Sequence, residues 1–404
     1  SGLIALGVAL QNDSIINVAI NDPECGYHAQ MERYVMNDGW WGEGSPTYHY
    51  YPLRAMLLSA DAVRCRNINL YDRKLYKMLV APASGVYADL YFPAHNDGWY
   101  GESLIAQVSL YEIACQRYNN DPFFLSVLQQ CYRYTDRNFG EALQNNIEIP
   151  QVTSMETWPS VHFKETGYTV LRSGTKTVVM KYGPHGGGHG HPDKLSISIH
   201  DGEKEIVSDM GTCAYGVPAF TKWYRKTLSH STLTVDAKDQ KESTGKLLAF
   251  KAYKDGGEVS AEAPDVYSGV TMERKLILKK NKLTDILTAR SDEQHLYDYV
   301  LILTEKPVFS QTGEVIILND SPSYNYIKNA IVRKQSSPLS CKIGKAYMKI
   351  EVSEGQEFEV ITGEAPGIPP GNGSVLSKYD SPFCYPLIVR VKDKKLRIKT
   401  EWKF

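Results

Sequence analysis

The spacing of apolar residues changes once along the chain, and the change divides it. Up to about residue 145, apolar positions recur every three or four residues, as in Tyr48–Val63 and Glu102–Ala114, which predicts helices that bury one face. Asp121-Pro122 offers a cap followed by proline at the first helical position and predicts a helix from Phe123 to Tyr134, and Ser45-Pro46 is a similar start signal. From about residue 165 the period becomes two, in Tyr168–Arg172, Thr177–Tyr182, Leu195–Ile199 and Ser231–Val235, and later in Val270–Leu287 and Leu387–Lys399. Strands that do not alternate with helices predict antiparallel sheets. The expected fold class is therefore α+β, with a helical domain over 1–145, a linker over 146–164 and an antiparallel β-sheet domain over 165–404.

Two loops between the helices echo each other. They are Asn37-Asp-Gly-Trp-Trp-Gly-Glu43 and Asn96-Asp-Gly-Trp-Tyr-Gly-Glu102. The repetition predicts one kind of loop recurring at one end of a helical array.

Composition narrows the chemistry. With 45 Lys+Arg against 46 Asp+Glu the formal net charge is −1, so no global field draws the protein to nucleic acid or to a membrane surface. No apolar run is long enough to insert into a bilayer. The seven cysteines are scattered without a CxxC pair, which argues against a disulfide framework and a cysteine zinc site. Tyrosine is abundant at 27 residues, and Tyr and Trp rings suit the stacking of sugars. Trp40 and Trp99 in the echoing loops are candidates for that, with core packing the alternative.

The chemically suggestive stretch is Gly186-Gly-Gly-His189-Gly-His191-Pro-Asp193. If the following strand extends back through it, the two imidazoles point to the same side, because residues two apart share a face. A metal would need further ligands, and the next strands supply Asp209 and His230. His191, Asp209 and His230 would form a two-nitrogen, one-oxygen set suited to zinc, against the alternative of histidines hydrogen-bonded within a loop.

These motifs together resemble the heparinase II/III-like polysaccharide lyases. The resemblance rests on His189-Gly-His191-Pro-Asp193, on Asp209-Met-Gly211 with Tyr215, and on Tyr224-Arg225-Lys-Thr-Leu-Ser-His230. In the helical half it rests on Asp38-Gly39 and on Glu43-Gly-Ser45-Pro-Thr-Tyr48. It implies an (α/α) toroid followed by antiparallel β-sheets, β-elimination at a uronic acid, and a structural Zn2+. Tyr48 would be the catalytic tyrosine, His189 the second catalytic group, and His191, Asp209 and His230 the zinc ligands. The family also places an Asn or His upstream of its tyrosine, at a distance that runs past Ser1. Residues 1–145 are too few for a whole toroid, so the toroid and the catalytic set are expected to be incomplete in this stretch.

Elimination at a 4-linked uronate removes the proton at C5, protonates the departing O4 and needs the C6 carboxylate neutralised. Tyr48 can serve both proton transfers if nearby cations, Arg225 among them, lower its pKa. The alternative for Tyr48 is a buried helix tyrosine. Glu43, Asn96, Tyr215 and Tyr224 are candidate substrate contacts beside Trp40 and Trp99, and His49 is expected to support packing. The expected partner is an acidic polysaccharide or oligosaccharide, either a glycosaminoglycan of the heparin or heparan sulfate type or alginate. No nucleic acid or membrane insertion is expected, a homodimer stays open, and the substrate class implies a periplasmic or secreted protein. The competing readings are a non-catalytic carbohydrate-binding protein that keeps fold and zinc, and a zinc-dependent hydrolase.

Overall fold

The computed structural model describes residues 1–138, 140, 145, 147–150, 158–367 and 382–404. Of the expected linker, residues 146 and 151–157 lie outside the described residues. The chain divides into two compact units. One comprises Ser1–Val86, Leu90–Phe92 and Ser103–Glu156, the other Tyr87–Asp89, Pro93–Glu102 and Thr157–Phe404. The echoing loops therefore do not recur within one helical array. The first belongs to the helical unit and the second, Pro93–Glu102, to the unit that carries the sheets.

The sheet unit is antiparallel throughout its described ladders. Its spine is the pairing of Lys282–Leu303 with Phe383–Lys403, running from Lys282↔Lys403 to Leu303↔Tyr385 with a shift of register between Arg290 and His295. Before that shift Lys282–Leu303 also pairs with Thr271–Lys279, and after it with Leu233–Val235. One long strand thus serves two sets of neighbours. Its inward residues, Leu283, Leu287, Tyr297, Tyr299, Leu301 and Leu303, join a core with Leu195, Ile197, Leu233 and Leu276. Alternation of apolar and polar residues makes this possible, because only one face of a pleated strand turns inward. A second core collects Val300, Ile302, Trp223, Tyr224 and Leu228 from the opposite face.

A buried ion pair anchors the strand starts that flank the histidines. Arg274 contacts both oxygens of Asp285, at 2.8 and 2.7 Å, and its remaining nitrogen donates to the carbonyls of Leu195 and Ser231, at 2.8 and 2.6 Å. Removing one member of such a pair typically costs about 3–5 kcal/mol, because the other charge stays buried alone.

The helical unit follows the expected period with one local departure. The helix Pro46–Ala62 begins where proline presets φ, and buries His49, Tyr50, Leu53, Met56, Leu57 and Ala60. Ser45 occupies its cap position without a side-chain capping bond, whereas the Asp121 carboxylate accepts from the Phe123 N–H at 2.9 Å and caps Pro122–Cys131. The helix expected over 102–114 starts late. Ser103 is held in a bridge to Tyr91, a 3-10 turn covers Ile105–Gln107, and regular helix runs only over Val108–Arg117. No helix among the described residues is long and apolar enough to cross a membrane, and all seven cysteines are free thiols.

His49 ties the first echoing loop to its helix. The Trp41 N–H donates to its Nδ1 at 3.0 Å, its Nε2 donates to the Met78 carbonyl at 2.8 Å, and Trp40 packs edge-on against the ring. These partners require the neutral ring, and burial lowers its pKa from 6.5 to about 4. Below pH 6.5 the unfolded state takes up a proton that the folded state refuses until about pH 4. Stability is therefore expected to fall through that window by up to about 1.4 kcal/mol per pH unit. His49→Gln, which keeps one donor and one acceptor, should flatten that slope in urea titrations at pH 4.5 and 7. An unchanged slope would assign the acid sensitivity to other groups.

Candidate functional site

Four segments of the sheet unit converge through hydrogen bonds to backbone carbonyls. The Asp97 N–H donates to the His189 carbonyl at 3.1 Å, and the Thr212 N–H to the Gly98 carbonyl at 3.2 Å. Arg225 donates to the Gly190 carbonyl at 2.7 Å and Thr227 to the Pro192 carbonyl at 2.7 Å. Glycine is required at two of these contacts. A Cβ on Gly190 would lie 1.6 Å from the His185 carbonyl oxygen, and one on Gly211, at φ +61°, 2.2 Å from that of Gly98.

The strand does not extend back through the two histidines. Gly187–His189 is a 3-10 turn and the strand begins at Ser196, so the shared-face argument from strand period fails. A carboxylate brings the imidazoles together instead. His189 Nδ1 lies 3.0 Å from Asp97 Oδ2, and His191 Nε2 lies 3.0 Å from Asp97 Oδ1. Burial pushes the Asp97 carboxyl up, but the hydrogen bonds from the two imidazoles outweigh it and hold the group below its ordinary value.

Beside this pair lies a fully buried group of polar atoms. Ligand-type atoms of Asp193, Asp209 and His230 lie within 4.8 Å of one another. Asp193 is already compensated, since Lys181 Nζ contacts its two oxygens at 2.8 and 2.7 Å. Asp209 is not. Its Oδ1 accepts from the Gly211 N–H at 3.0 Å, and His230 Nδ1 lies 3.3 Å away in a poor geometry for bonding. Among the described residues, Asp209 Oδ2, His191 Nδ1 and both nitrogens of His230 and of His95 are buried without a hydrogen-bond partner. The His191 and His230 rings are 5.2 Å apart, and His95 Nδ1 is 3.9 Å from Asp209 Oδ2. Unpaired buried polar groups are costly, and a concentration of nitrogen lone pairs around a carboxylate is what a cation would satisfy. Burial lowers His191 and His95 to about 4, whereas at His230 the charge of Asp209 overcomes burial and shifts the pKa upward. The Asp209 carboxylate thus favours positive charge on the ring beside it.

The other expected site residues are distributed as follows. Asn96 is buried at φ +57°, its side-chain oxygen accepting from Lys181 Nζ and from the His191 N–H at 3.3 Å. Tyr215 is exposed, its hydroxyl 3.4 Å from His189 Nδ1 and 3.5 Å from Asp97 Oδ2. Trp99 is half-buried in the Pro93–Glu102 loop. Tyr224 is 5% exposed and donates to the Gly367 carbonyl at 2.6 Å, which makes it part of the second core rather than a face open to a sugar. Arg225 braces the turn between the two histidines. Trp40, Glu43 and Tyr48 belong to the helical unit. Trp40 is buried, Glu43 accepts from the Trp41 indole at 3.1 Å, and Tyr48 is half-buried on Pro46–Ala62.

Residues 155–300 match the family described as heparinase II/III-like, C-terminal. This stretch is similar to heparinase II/III-like C-terminal domains. Over 341 residues the chain is 25% identical to an alginate lyase of Stenotrophomonas maltophilia, covering 73% of this chain and 45% of that protein. It is 23% identical over 244 residues to a heparin-sulfate lyase of Pedobacter heparinus, covering 56% and 34%. The solved heparan sulfate lyase of Pedobacter heparinus superposes with a TM-score of 0.73 at 15% identity, covering 99% of this chain and 58% of that one. At that identity the likeness shows the fold, helices of an (α/α) toroid followed by antiparallel β-sheets. The chain spans about half the length of the curated relatives it matches.

The sheet unit brings to this site two residues that sequence reasoning did not assign to it, Asp97, weighed there only as an ambiguous residue of the second echoing loop, and His95. Both come from the loop Pro93–Glu102, outside the matched stretch; the Asn-Asp-Gly-Trp echo was a signal for Asp97, and His95 stands just before it. If the buried group binds a divalent metal, chelation should destabilise the protein and readdition should restore it. Free metal at a thousandfold over its dissociation constant contributes about 4 kcal/mol, readable as a shift in thermal midpoint, and His230→Ala should abolish the response. A midpoint indifferent to chelator and metal would contradict the reading.

Proposed function

We propose that this chain is part of a polysaccharide lyase that cleaves uronate-containing chains by β-elimination. The observation that carries the proposal is the pairing, in the sheet unit, of a partly exposed histidine held by a buried carboxylate with a cluster of buried, unsatisfied metal-type ligands. Named relatives support the same reading, and those that name alginate match over more of this chain than the one that names heparin sulfate. Alginate or a heparin-type glycosaminoglycan is the proposed substrate, and a periplasmic or secreted location follows from it.

In this proposal Tyr48 and His189 form the acid–base pair that removes the C5 proton and protonates O4. Arg225 supports them by fixing the Gly190 carbonyl, and so the turn that carries His189. Tyr215, next to His189, is proposed as a sugar contact, with Asn96, Trp99, Trp40 and Glu43 assigned with it to substrate recognition. The donors His191 Nδ1, Asp209 Oδ2 and His230 would hold Zn2+, with His95 Nδ1, 3.9 Å from Asp209 Oδ2, a further donor, and imidazole plus carboxylate is a set that zinc accepts. The ion would supply charge compensation and rigidity to the loops. The proton transfers belong to Tyr48 and His189.

The test uses the full-length protein with polymannuronate, polyguluronate and heparan sulfate, following the ultraviolet absorbance of the unsaturated uronate product. Tyr48→Phe and His189→Ala should each lower kcat by about 10²–10⁴-fold while circular dichroism stays unchanged. New reducing ends without the absorbance would indicate hydrolysis. Binding without either product would favour the carbohydrate-binding alternative.

A further inference from the structure

Asp97 stands where the two histidine functions meet. Its backbone is fixed first, by the bond from its N–H to the His189 carbonyl and by the left-handed Asn96 before it, whose side chain holds the His191 N–H. Its side chain is 1% exposed, with one oxygen on each imidazole. An ionised carboxylate only accepts, so each contacting nitrogen must carry its hydrogen. For His191 that leaves the lone pair on Nδ1, the atom without a hydrogen-bond partner, on the ring facing His230. A metal-ligating histidine commonly donates its other N–H to a carboxylate in this way. For His189 the same logic places the hydrogen on Nδ1 and the lone pair on Nε2.

We infer that Asp97 is a positioning residue that links the metal site to His189, so that a metal on His191 Nδ1 and the tautomer of His189 are set through one carboxylate. Without the ion, neutral His191 is free to carry its hydrogen on Nδ1. It would then turn a lone pair toward Asp97 Oδ1, and that contact would open. The hold on His189 would loosen with it, because both bonds orient the same side chain. Asparagine at position 97 has one acceptor and one donor, so it cannot accept from both rings, and one histidine must change tautomer. Tyr215, near the same oxygen and the same ring nitrogen, is placed to feel the change.

The inference rests on the metal and lyase reading above, but its test needs no turnover. Full-length protein carrying 15N-labelled histidine would be studied by long-range 1H–15N spectra in zinc-loaded and chelator-stripped forms. Loaded wild type should show His189 as a single Nδ1–H tautomer, and stripping should give a mixture. Asp97→Asn should show the mixture even when loaded and bind zinc about 10- to 100-fold more weakly, whereas His189→Ala should keep wild-type zinc affinity. If Asp97→Asn fails to fold, the loaded and stripped spectra of wild type decide alone. A His189 tautomer indifferent to zinc, or wild-type zinc affinity in a folded Asp97→Asn, would overturn the inference. Wild type that binds zinc as expected but releases no unsaturated product would count against the lyase reading only.

Discussion

The arrangement of the sheet unit's loops depends on one buried carboxylate. Asp209 is 3% exposed, and one of its oxygens has no hydrogen-bond partner among the described residues. A carboxylate cannot stay ionised in such a place without compensation, and of its neighbouring imidazoles burial holds His95 and His191 low while the charge of Asp209 shifts His230 upward. Asp193, in the same pocket, shows the other solution, an ammonium group supplied by Lys181. The contrast within a few ångströms is informative. One aspartate has its countercharge from the chain, and the other is surrounded by lone pairs that a metal would use.

The loops stay in place because the sheets hold their ends. His230 lies three residues before the strand Leu233–Val235, and the segment from His191 to Asp193 leads into Ser196–His200. Arg274 binds the carbonyls of Leu195 and Ser231 at those two entrances while remaining paired with Asp285. Leu195 carries φ +63°, an uncommon conformation for a non-glycine residue that the surrounding bonds sustain. Packing energy from the long strand pairings thus reaches the histidines through a few buried polar contacts. Asp97 continues that chain toward the partly exposed ring of His189.

Much of this was readable from residue order. The change from helical to strand period marked the two kinds of structure, and the strands at Tyr168–Ser173, Lys176–Lys181 and Ser196–His200 lie within a residue or two of the predicted runs. Asp209 and His230 were legible as candidates because each stands within three residues of a strand in a recognisable motif. The reason for the His-Gly-His spacing was not. It works through a turn and a shared carboxylate, and the carboxylate lies 92 residues from His189 along the chain. The loop that contributes Asp97 and His95 sits among helical segments in sequence but clusters with the sheets, a tertiary fact that no local period encodes. Tyr224 was misleading for a related reason, since an aromatic between two ligand candidates can line a cleft or fill a core, and only packing decides.

The central claim is that the unsatisfied atoms around Asp209 form a metal site. Zinc-edge anomalous diffraction from crystals of the full-length protein, purified with zinc and without chelator, tests it most directly. The account predicts a single strong peak between His191 Nδ1, His230 and Asp209 Oδ2. A map with no peak there, with His230 turned to form a well-aligned ion pair with Asp209, would contradict it.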